Sequence, residues 1–257
     1  MKKIITLLFV TFITMNLFAC SKKEVDTFEE SLLKENTILV GISPDYPPYE
    51  TLDSNGNLIG FDVDMMNELT NIINQQQDTN ITVEFKQMDF NNIIGALQAN
   101  QIDVGVSGFT YDAKRECWFS TPYTNSKQVI ITRNDTGITK AEDLVGKKVG
   151  AGLATTGAEV LSEMEGVELT QPGDYTVMFQ ALAAGQLDAV VCDEAVGDNY
   201  VSNMGFVKCE EALIDESMSI IAKKDNEYIQ KAIDEAINEL LTTDTYQQLL
   251  KKWELVK

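Results

Sequence analysis

The chain has 257 residues, enough for more than one domain, and its hydrophobic and charged fractions of 44% and 23% are ordinary for a globular protein. Its formal charge of −20 is not ordinary, and because an acidic surface repels phosphates, it disfavours nucleic acid as a partner. The chain has no histidine, which excludes Ser-His-Asp and Cys-His catalysis and histidine-ligated zinc.

The N-terminal residues 1–19 are predicted to be a secretory signal peptide. Lys2 and Lys3 give a basic start, and an almost unbroken apolar run over residues 4–15 follows them. A short apolar run behind a basic start is typical of an export signal rather than of a spanning helix. The charged segment that comes next, residues 20–36, is predicted to be a tether to the folded part.

Strands and helices then alternate. A β-branched run predicts a strand over Thr37–Ile42, and Asn55-Gly56 predicts a hairpin turn. Asp62 and Asp89 are each predicted to cap a helix whose apolar residues recur at helical spacing. Two more strands are predicted in this half, over residues 81–85 and 102–106.

The same alternation recurs in the second half of the chain. The predicted strands are 148–151, 167–170 and 187–191, and the predicted helices between and after them are 156–164, 174–184 and 194–201. A last strand over 218–222 precedes helices over 228–241 and 245–255. Because alternating strands and helices with short connections form parallel sheets covered by helices, the two sets predict an α/β fold of two lobes.

Three cysteines lie on the predicted exported part, at Cys117, Cys192 and Cys209. An odd number cannot all pair within the chain. The sequence favours three half-buried free thiols and leaves a bond between Cys192 and Cys209 open. Since no CxxC spacing occurs, neither a metal site nor a redox centre is expected.

Two resemblances carry the functional prediction. The stretch Leu17-Phe18-Ala19-Cys20 resembles a bacterial lipobox, although Phe18 is bulkier than usual, and implies that Cys20 is lipidated and anchors the chain to a membrane. The stretches that resemble the polar amino acid substrate-binding proteins of ABC importers include Gly60-Phe61-Asp62-Val63-Asp64 and Ser120-Thr121-Pro122-Tyr123; the full set is residues 40–50, 60–64, 88–90, 108–115, 119–123, 154–157, 188–193 and 245–253.

This family resemblance implies the type II periplasmic-binding-protein fold, with two Rossmann-like lobes and a two-strand hinge. The chain would cross between the lobes near residues 123–129 and 215–219. The first lobe would then contain residues 37–125 and 218–257, and the second lobe residues 126–217. The resemblance also implies an ABC permease and its ATPase as partners, a monomer, and no cofactor.

The implied ligand is a free amino acid, whose carboxylate needs donors and whose ammonium needs acceptors. Arg115 can give a carboxylate two parallel hydrogen bonds, helped by Thr110. Thr156 lies at a predicted helix start, where free N–H groups favour an anion. In the family, Asp193 and the Gly108 carbonyl would accept from the ammonium.

The side-chain pocket is predicted to be formed by Tyr46, Phe90, Ser43 and Ser107. Family members that bind basic amino acids carry an acid where this chain has Ser43, and glutamine binders carry a lysine at Gly152. A neutral ligand is therefore expected. The turn before Thr156 also departs from the family, which more often has glycine in place of Ala154.

Two other functions stay open at this point. The same fold hosts carboxylate-dependent dehydratases, for which Asp62 and Asp64 would be the paired acids, but at a helix start such acids are expected to complement the helix dipole. A free-standing amino acid sensor would use the same site without a transporter. Neither is favoured, and no catalytic residue is predicted.

Overall fold

The computed structural model describes residues 36–256. The predicted signal peptide, Cys20 and all of the predicted tether except Asn36 lie outside the described residues. Within residues 36–256, no helix is both long enough and apolar enough to cross a membrane. Cys117, Cys192 and Cys209 are free, as predicted, but they are buried rather than half-buried, and the Cys192–Cys209 bond is not formed.

The strands, in chain order, are β1 (Thr37–Ile42), β2 (Asp45–Tyr46), β3 (Glu50–Leu52), β4 (Leu58–Ile59), β5 (Thr82–Gln87), β6 (Val104–Thr110), β7 (Trp118–Phe119), β8 (Thr124–Thr132), β9 (Lys148–Ala151), β10 (Glu168–Thr170), β11 (Ala189–Asp193) and β12 (Val207–Ala222). The α-helices are α1 (Phe61–Gln77), α2 (Phe90–Gln98), α3 (Thr156–Glu163), α4 (Tyr175–Ala183), α5 (Glu194–Met204), α6 (Glu227–Leu240) and α7 (Asp244–Lys252). A short 3-10 helix spans Ala141–Leu144.

The main sheet has nine strands in the order β10-β9-β11-β8-β12-β6-β1-β5, with β7 beside β12. At each end of the sheet the strands are parallel, as the alternation predicts. β5 and β6 flank β1 at one end, and β10 and β11 flank β9 at the other. In the middle the prediction of parallel sheets is wrong, because β8 and β12 run antiparallel to each other and to their neighbours. Strands that carry the chain across and back between two lobes must run in opposite directions.

Each half of the sheet forms a lobe. The first lobe is built on β5, β1 and β6, and the second on β8, β11, β9 and β10. β12 belongs to both, since it pairs with β8 up to Met218 and with β6 from Met218 to Ala222. The expected lobe boundaries, at residues 125/126 and 217/218, therefore fall inside β8 and β12. That the hinge lies at these boundaries stays a prediction.

Helix α1 begins two residues earlier than the sequence predicts. Gly60, not Asp62, is the N-cap, and Asp62 lies inside the first turn with its carboxyl buried. The reason is a tertiary hydrogen bond: Tyr123 donates its hydroxyl to Asp62 Oδ2 at 3.0 Å and draws the carboxyl inward. The prediction that Asp62 caps the helix is wrong, whereas Asp174 does accept from Val177 N at the start of α4, as predicted.

Gly60 lies where two backbone segments meet. Its φ is 145°, and a Cβ at this position would lie 2.0 Å from the Tyr49 carbonyl oxygen. We expect Gly60→Ala to lower the free energy of unfolding by more than about 2 kcal/mol, because the segments must separate and the backbone is strained for alanine. Urea unfolding of the ligand-free protein measures it.

The matched control is Gly95→Ala. Gly95 lies inside α2 and a Cβ there would meet nothing within 4 Å. Alanine at such a helical position is expected to stabilise the protein by about 0.5–1 kcal/mol. Equal urea concentrations at the midpoint of unfolding for Gly60→Ala and the parent would contradict the close approach of Gly60 to Tyr49.

Candidate ligand-binding site

A cavity lies between the two lobes, where β1, β6 and β11 end. Counted out to its mouth, the space between its lining atoms is about 520 Å³, which is in the range of small-molecule sites. All nine residues predicted for the ligand line this one cavity: Ser43, Tyr46, Phe90, Ser107, Gly108, Thr110, Arg115, Thr156 and Asp193. The carboxyl ends of strands are where α/β sheets place ligand groups.

Arg115 presents a positive charge to the cavity. Its Nη1 donates to the Thr110 carbonyl and its Nη2 to the Ala154 carbonyl, both at 2.9 Å. The guanidinium lies over the stacked rings of Phe90 and Phe109, with Cζ 5.7 Å and 5.5 Å from their centroids. Burial lowers the pKa of Arg115, but a guanidinium stays charged in proteins. No carboxylate forms an ion pair with it among residues 36–256.

The second lobe contributes a helix start beside Arg115. Thr155 is the N-cap of α3, and its hydroxyl oxygen accepts from Ala158 N at 3.3 Å. Thr156 is therefore the first helical residue, and the first N–H groups of a helix have no intrahelical acceptor. Thr155 supplies the cap, and Thr156 lines the cavity.

Ala154 has a φ of 64°, in the left-handed region. This conformation costs a residue with a Cβ about 1–2 kcal/mol, which explains why glycine is the more usual residue in this turn. The turn directs the Ala154 carbonyl across the cleft, where it accepts from Arg115. Alanine in place of glycine at position 154 thus keeps the turn but strains its backbone.

Asp193 presents a buried carboxyl at the end of β11, with the residue only 5% exposed. The Tyr46 hydroxyl donates to Oδ2, whereas Oδ1 receives no hydrogen bond of good geometry from residues 36–256. Burial, and then the charge of Glu216, raise the pKa of Asp193 to about 7. The carboxyl is therefore poised to ionise when a cation reaches its open oxygen.

Aromatic rings form the wall between these charged groups. Tyr46 packs against Tyr175 of the second lobe, with ring centroids 4.7 Å apart. Gly108 has a φ of 62°, and a Cβ there would lie 3.4 Å from the Tyr46 ring. Glycine at this position thus lets the β6 backbone approach the cavity closely.

Several lining residues were missed by the sequence analysis. They are Asp45, Asn91, Gln128, Leu153, Thr155, Gly173 and Tyr175. Gln128 lies on β8 at the end of the polar run 124–128, which gives no apolar signal of a strand. Its Nε2 donates to Glu216 Oε2 at 2.9 Å. The sequence does show an acid, Asp45, two residues after Ser43. Whether its side chain points into the cavity depends on how the two lobes meet, which the sequence does not show.

Asp45 bridges the lobes. Its Oδ2 accepts from Tyr175 N, the first residue of α4, at 2.8 Å, and its Oδ1 accepts from Ser43 Oγ at 2.7 Å. Burial raises the pKa of this carboxyl. The cavity therefore does contain an acid near Ser43, and both of its oxygens are already engaged with protein donors.

Gly152 borders the cavity without room for a larger side chain. A Cβ there would lie 2.8 Å from Thr155 Cγ2 and 2.9 Å from the Tyr175 hydroxyl. A lysine at this position would have to displace Tyr175.

The lobes are closed on each other. Besides the contacts of Asp45, Tyr46 and Arg115, an ion pair joins Lys114 of the first lobe to Glu159 of the second. Among residues 36–256, no cluster of three or more acidic or cysteine side chains could hold a metal ion.

Two lobes joined by paired strands, with opposite charges facing a cavity between them, define a ligand-binding protein of the type II periplasmic-binding fold. Residues 38–256 match the bacterial extracellular solute-binding proteins, family 3, and the chain belongs to that family. The family consists of binding proteins, so this chain is a binding protein and not an enzyme.

Named relatives show what kinds of ligand the family takes. The L-cystine-binding protein TcyJ of Escherichia coli K12 is 30% identical, with 88% of this chain and 86% of TcyJ covered. The P235GK mutant of ArgBP from T. maritima superposes with a TM-score of 0.82 at 31% identity, covering 88% of this chain and 99% of that one. The substrate binding protein of an amino acid ABC transporter matches with a TM-score of 0.77 at 30% identity, over 84% and 98% of the two chains.

Proposed function

We propose that this protein binds a free amino acid between its lobes and delivers it to an ABC importer. One observation carries the proposal: Arg115 and Asp193, which have opposite charges and no ion-pair partner within residues 36–256, face the same cavity. A zwitterion is the small ligand whose two charges match such a pair. By name, the relatives include an L-cystine-binding protein and the arginine-bound form of ArgBP, and both of these ligands are amino acids.

Each part of the ligand has a proposed partner. The carboxylate binds Arg115, Thr110 and Thr156; the ammonium donates to Asp193 and to the Gly108 carbonyl. Tyr46, Phe90, Ser43 and Ser107 surround the side chain. These groups come from both lobes, so binding favours the closed arrangement over an open one.

Delivery follows from closure. We propose that an ABC permease recognises the two lobes, residues 37–125 with 218–257 and residues 126–217, in their closed arrangement. One structural relative is itself the binding protein of an amino acid ABC transporter, which supports this partner. A lipid on Cys20 would hold the monomeric protein at the extracytoplasmic face of the membrane, which agrees with the family's description as extracellular.

A neutral ligand remains the proposal for specificity. The acid that lines the cavity near Ser43 is Asp45, and its two oxygens already accept from Tyr175 N and Ser43 Oγ. Because these donors compensate the carboxylate, it does not require a cationic side chain. Cystine carries no net charge at neutral pH and agrees with this proposal, whereas arginine does not.

Thermal unfolding against a panel of free amino acids tests the function. The protein, freed of any carried-over ligand by unfolding and refolding, is heated with neutral, acidic and basic amino acids and with cystine. A true ligand at a hundred times its dissociation constant stabilises by about 2.7 kcal/mol, which raises Tm by roughly 5–10 °C at this size.

The panel separates the two parts of the proposal. A selective shift with a neutral amino acid supports both. A larger shift with arginine or lysine would overturn the neutral ligand but keep the zwitterion site. No shift with any amino acid would overturn the proposed function.

A further inference from the structure

Two carboxyls, Glu50 and Asp62, are buried together directly behind the ligand cavity. Both residues are 0% exposed. No lysine or arginine forms an ion pair with either among residues 36–256. Two adjacent buried carboxylates without a cation cannot both stay ionised. The pair therefore needs a proton.

The atoms of the pair show where this proton lies. One oxygen of each carboxyl, Glu50 Oε2 and Asp62 Oδ1, is buried and accepts from no other group in the described part of the chain. The two carboxyls are within hydrogen-bonding reach of each other. A single proton between them satisfies both open oxygens, because one carboxyl then donates and the other accepts.

The other oxygens of the pair hold the cavity wall. Ser107 donates its hydroxyl to Glu50 Oε1, and the same hydroxyl oxygen accepts from Ser43 N at 3.3 Å. The backbone N–H of Gly108 lies near the Asp62 carboxyl. Ser107 and Gly108 thus face the cavity on one side and adjoin the acid pair on the other, with Ser107 bonded to it.

We propose that Glu50 and Asp62 share one proton and act as positioning residues for the first-lobe half of the ligand site, so that ligand affinity depends on this proton. The proposal rests on the proposed function insofar as Ser107 and Gly108 contact an amino acid. Neither carboxyl touches the ligand.

The surroundings decide the direction of the pH effect. Burial, and then the charge of Asp62, raise the pKa of Glu50 well above its usual range, and burial raises the pKa of Asp62 to about 7. The titratable groups that face the pair are Tyr123 before β8, Tyr49 before β3 and Asp45 of β2, and burial raises the pKa of each. None of them supplies a positive charge.

The sign follows from these groups. In the folded protein the pair retains a proton at pH values where both acids would be ionised in the unfolded chain. Raising the pH eventually removes that proton, and repulsion between two carboxylates then displaces Ser107 and Gly108. Affinity is therefore expected to fall on the alkaline side, by up to about tenfold per pH unit once the proton is lost.

The test compares the parent with Glu50→Gln. Glutamine can donate to Asp62 and accept from Ser107, but it cannot ionise in this range. The dissociation constant of the amino acid found by the panel, and Tm, are measured for both proteins from pH 6 to pH 9. We expect Glu50→Gln to bind within about threefold of the parent at pH 7 and to lose the parent's extra alkaline decline. Ionisation of the ligand affects both proteins equally and cancels.

The same alkaline decline in Glu50→Gln and the parent would overturn the proposal. If the variant does not fold, infrared spectroscopy of the parent still tests for the shared proton. At pH 8 exposed acids are ionised, so a remaining protonated-carboxyl band that shifts in heavy water is expected from the pair. Absence of that band also overturns the proposal. Because the band requires no ligand, it separates this inference from a failure of amino acid binding.

Discussion

Replacing Arg115 with alanine is expected to weaken amino acid binding by about 2–5 kcal/mol, or roughly thirtyfold to several-thousand-fold in Kd. The guanidinium faces the cavity, and it is held in place by the hydrogen bonds that its Nη1 and Nη2 donate to the Thr110 and Ala154 carbonyls. Without it the ligand carboxylate would be buried beside Phe90 with only Thr110 and the helix start of α3 as donors. Isothermal titration calorimetry with the amino acid that gives the largest thermal shift measures the loss.

Lys114→Ala is the matched control. Lys114 precedes Arg115, is also cationic, and also reaches the second lobe, through its ion pair with Glu159. Its side chain is 75% exposed, however, and exposed ion pairs contribute little. Similar losses in the two variants would mean that net charge at the cleft, and not a specific bond from Arg115, holds the ligand.

Asp193→Asn is expected to weaken binding by at least about thirtyfold at pH 8, because the buried ammonium then lacks a counter-charge. The parent should also show a pH dependence that this variant lacks. The pKa of the Asp193 carboxyl is raised to about 7, and an ammonium binds the ionised form. Below pH 7 binding must first release a proton, so affinity falls as pH falls, by up to about tenfold per unit.

Calorimetry from pH 5.5 to pH 8 provides the comparison. Asp188→Asn serves as the control, since Asp188 precedes the other end of β11 and accepts from Lys148 N far from the cavity. Retention of the acidic decline in Asp193→Asn would rule out Asp193 as the ammonium acceptor. The decline lies on the opposite side of neutrality from the one expected of Glu50 and Asp62, so the two effects can be distinguished in a single pH series.

Local signals predicted much of the fold. The strands Thr37–Ile42 and Lys148–Ala151 have the predicted bounds, since each is a compact apolar run. The helices that carry apolar residues at helical spacing are present within a few residues. What local signals could not predict was β8 and the first part of β12, because a stretch such as 124–128 in β8 is entirely polar and carries no apolar pattern of a strand.

The candidate site shows the same division. The family motifs brought Arg115, Asp193 and Thr156 into one list, and the structure places them around one cavity. The motif over residues 40–50 contains Asp45 but gave it no role, and no motif contains Gln128; where these side chains lie depends on contacts between distant segments, such as Asp45 with Tyr175. Asp62 was misassigned as a cap for the same reason, since its partner Tyr123 lies far along the chain.

The contacts that close the cleft without any ligand atom bear on exchange kinetics. Asp45 meets Tyr175 and Lys114 meets Glu159, and the cavity lies between these lobes. A bound molecule can leave only when such contacts separate, so its residence time depends on how fast the lobes part as well as on its own bonds. Substitutions at these lobe-to-lobe contacts would then change the rate at which ligand is released to the transporter. Ligand selectivity would be unchanged, because it is set by the residues that line the cavity.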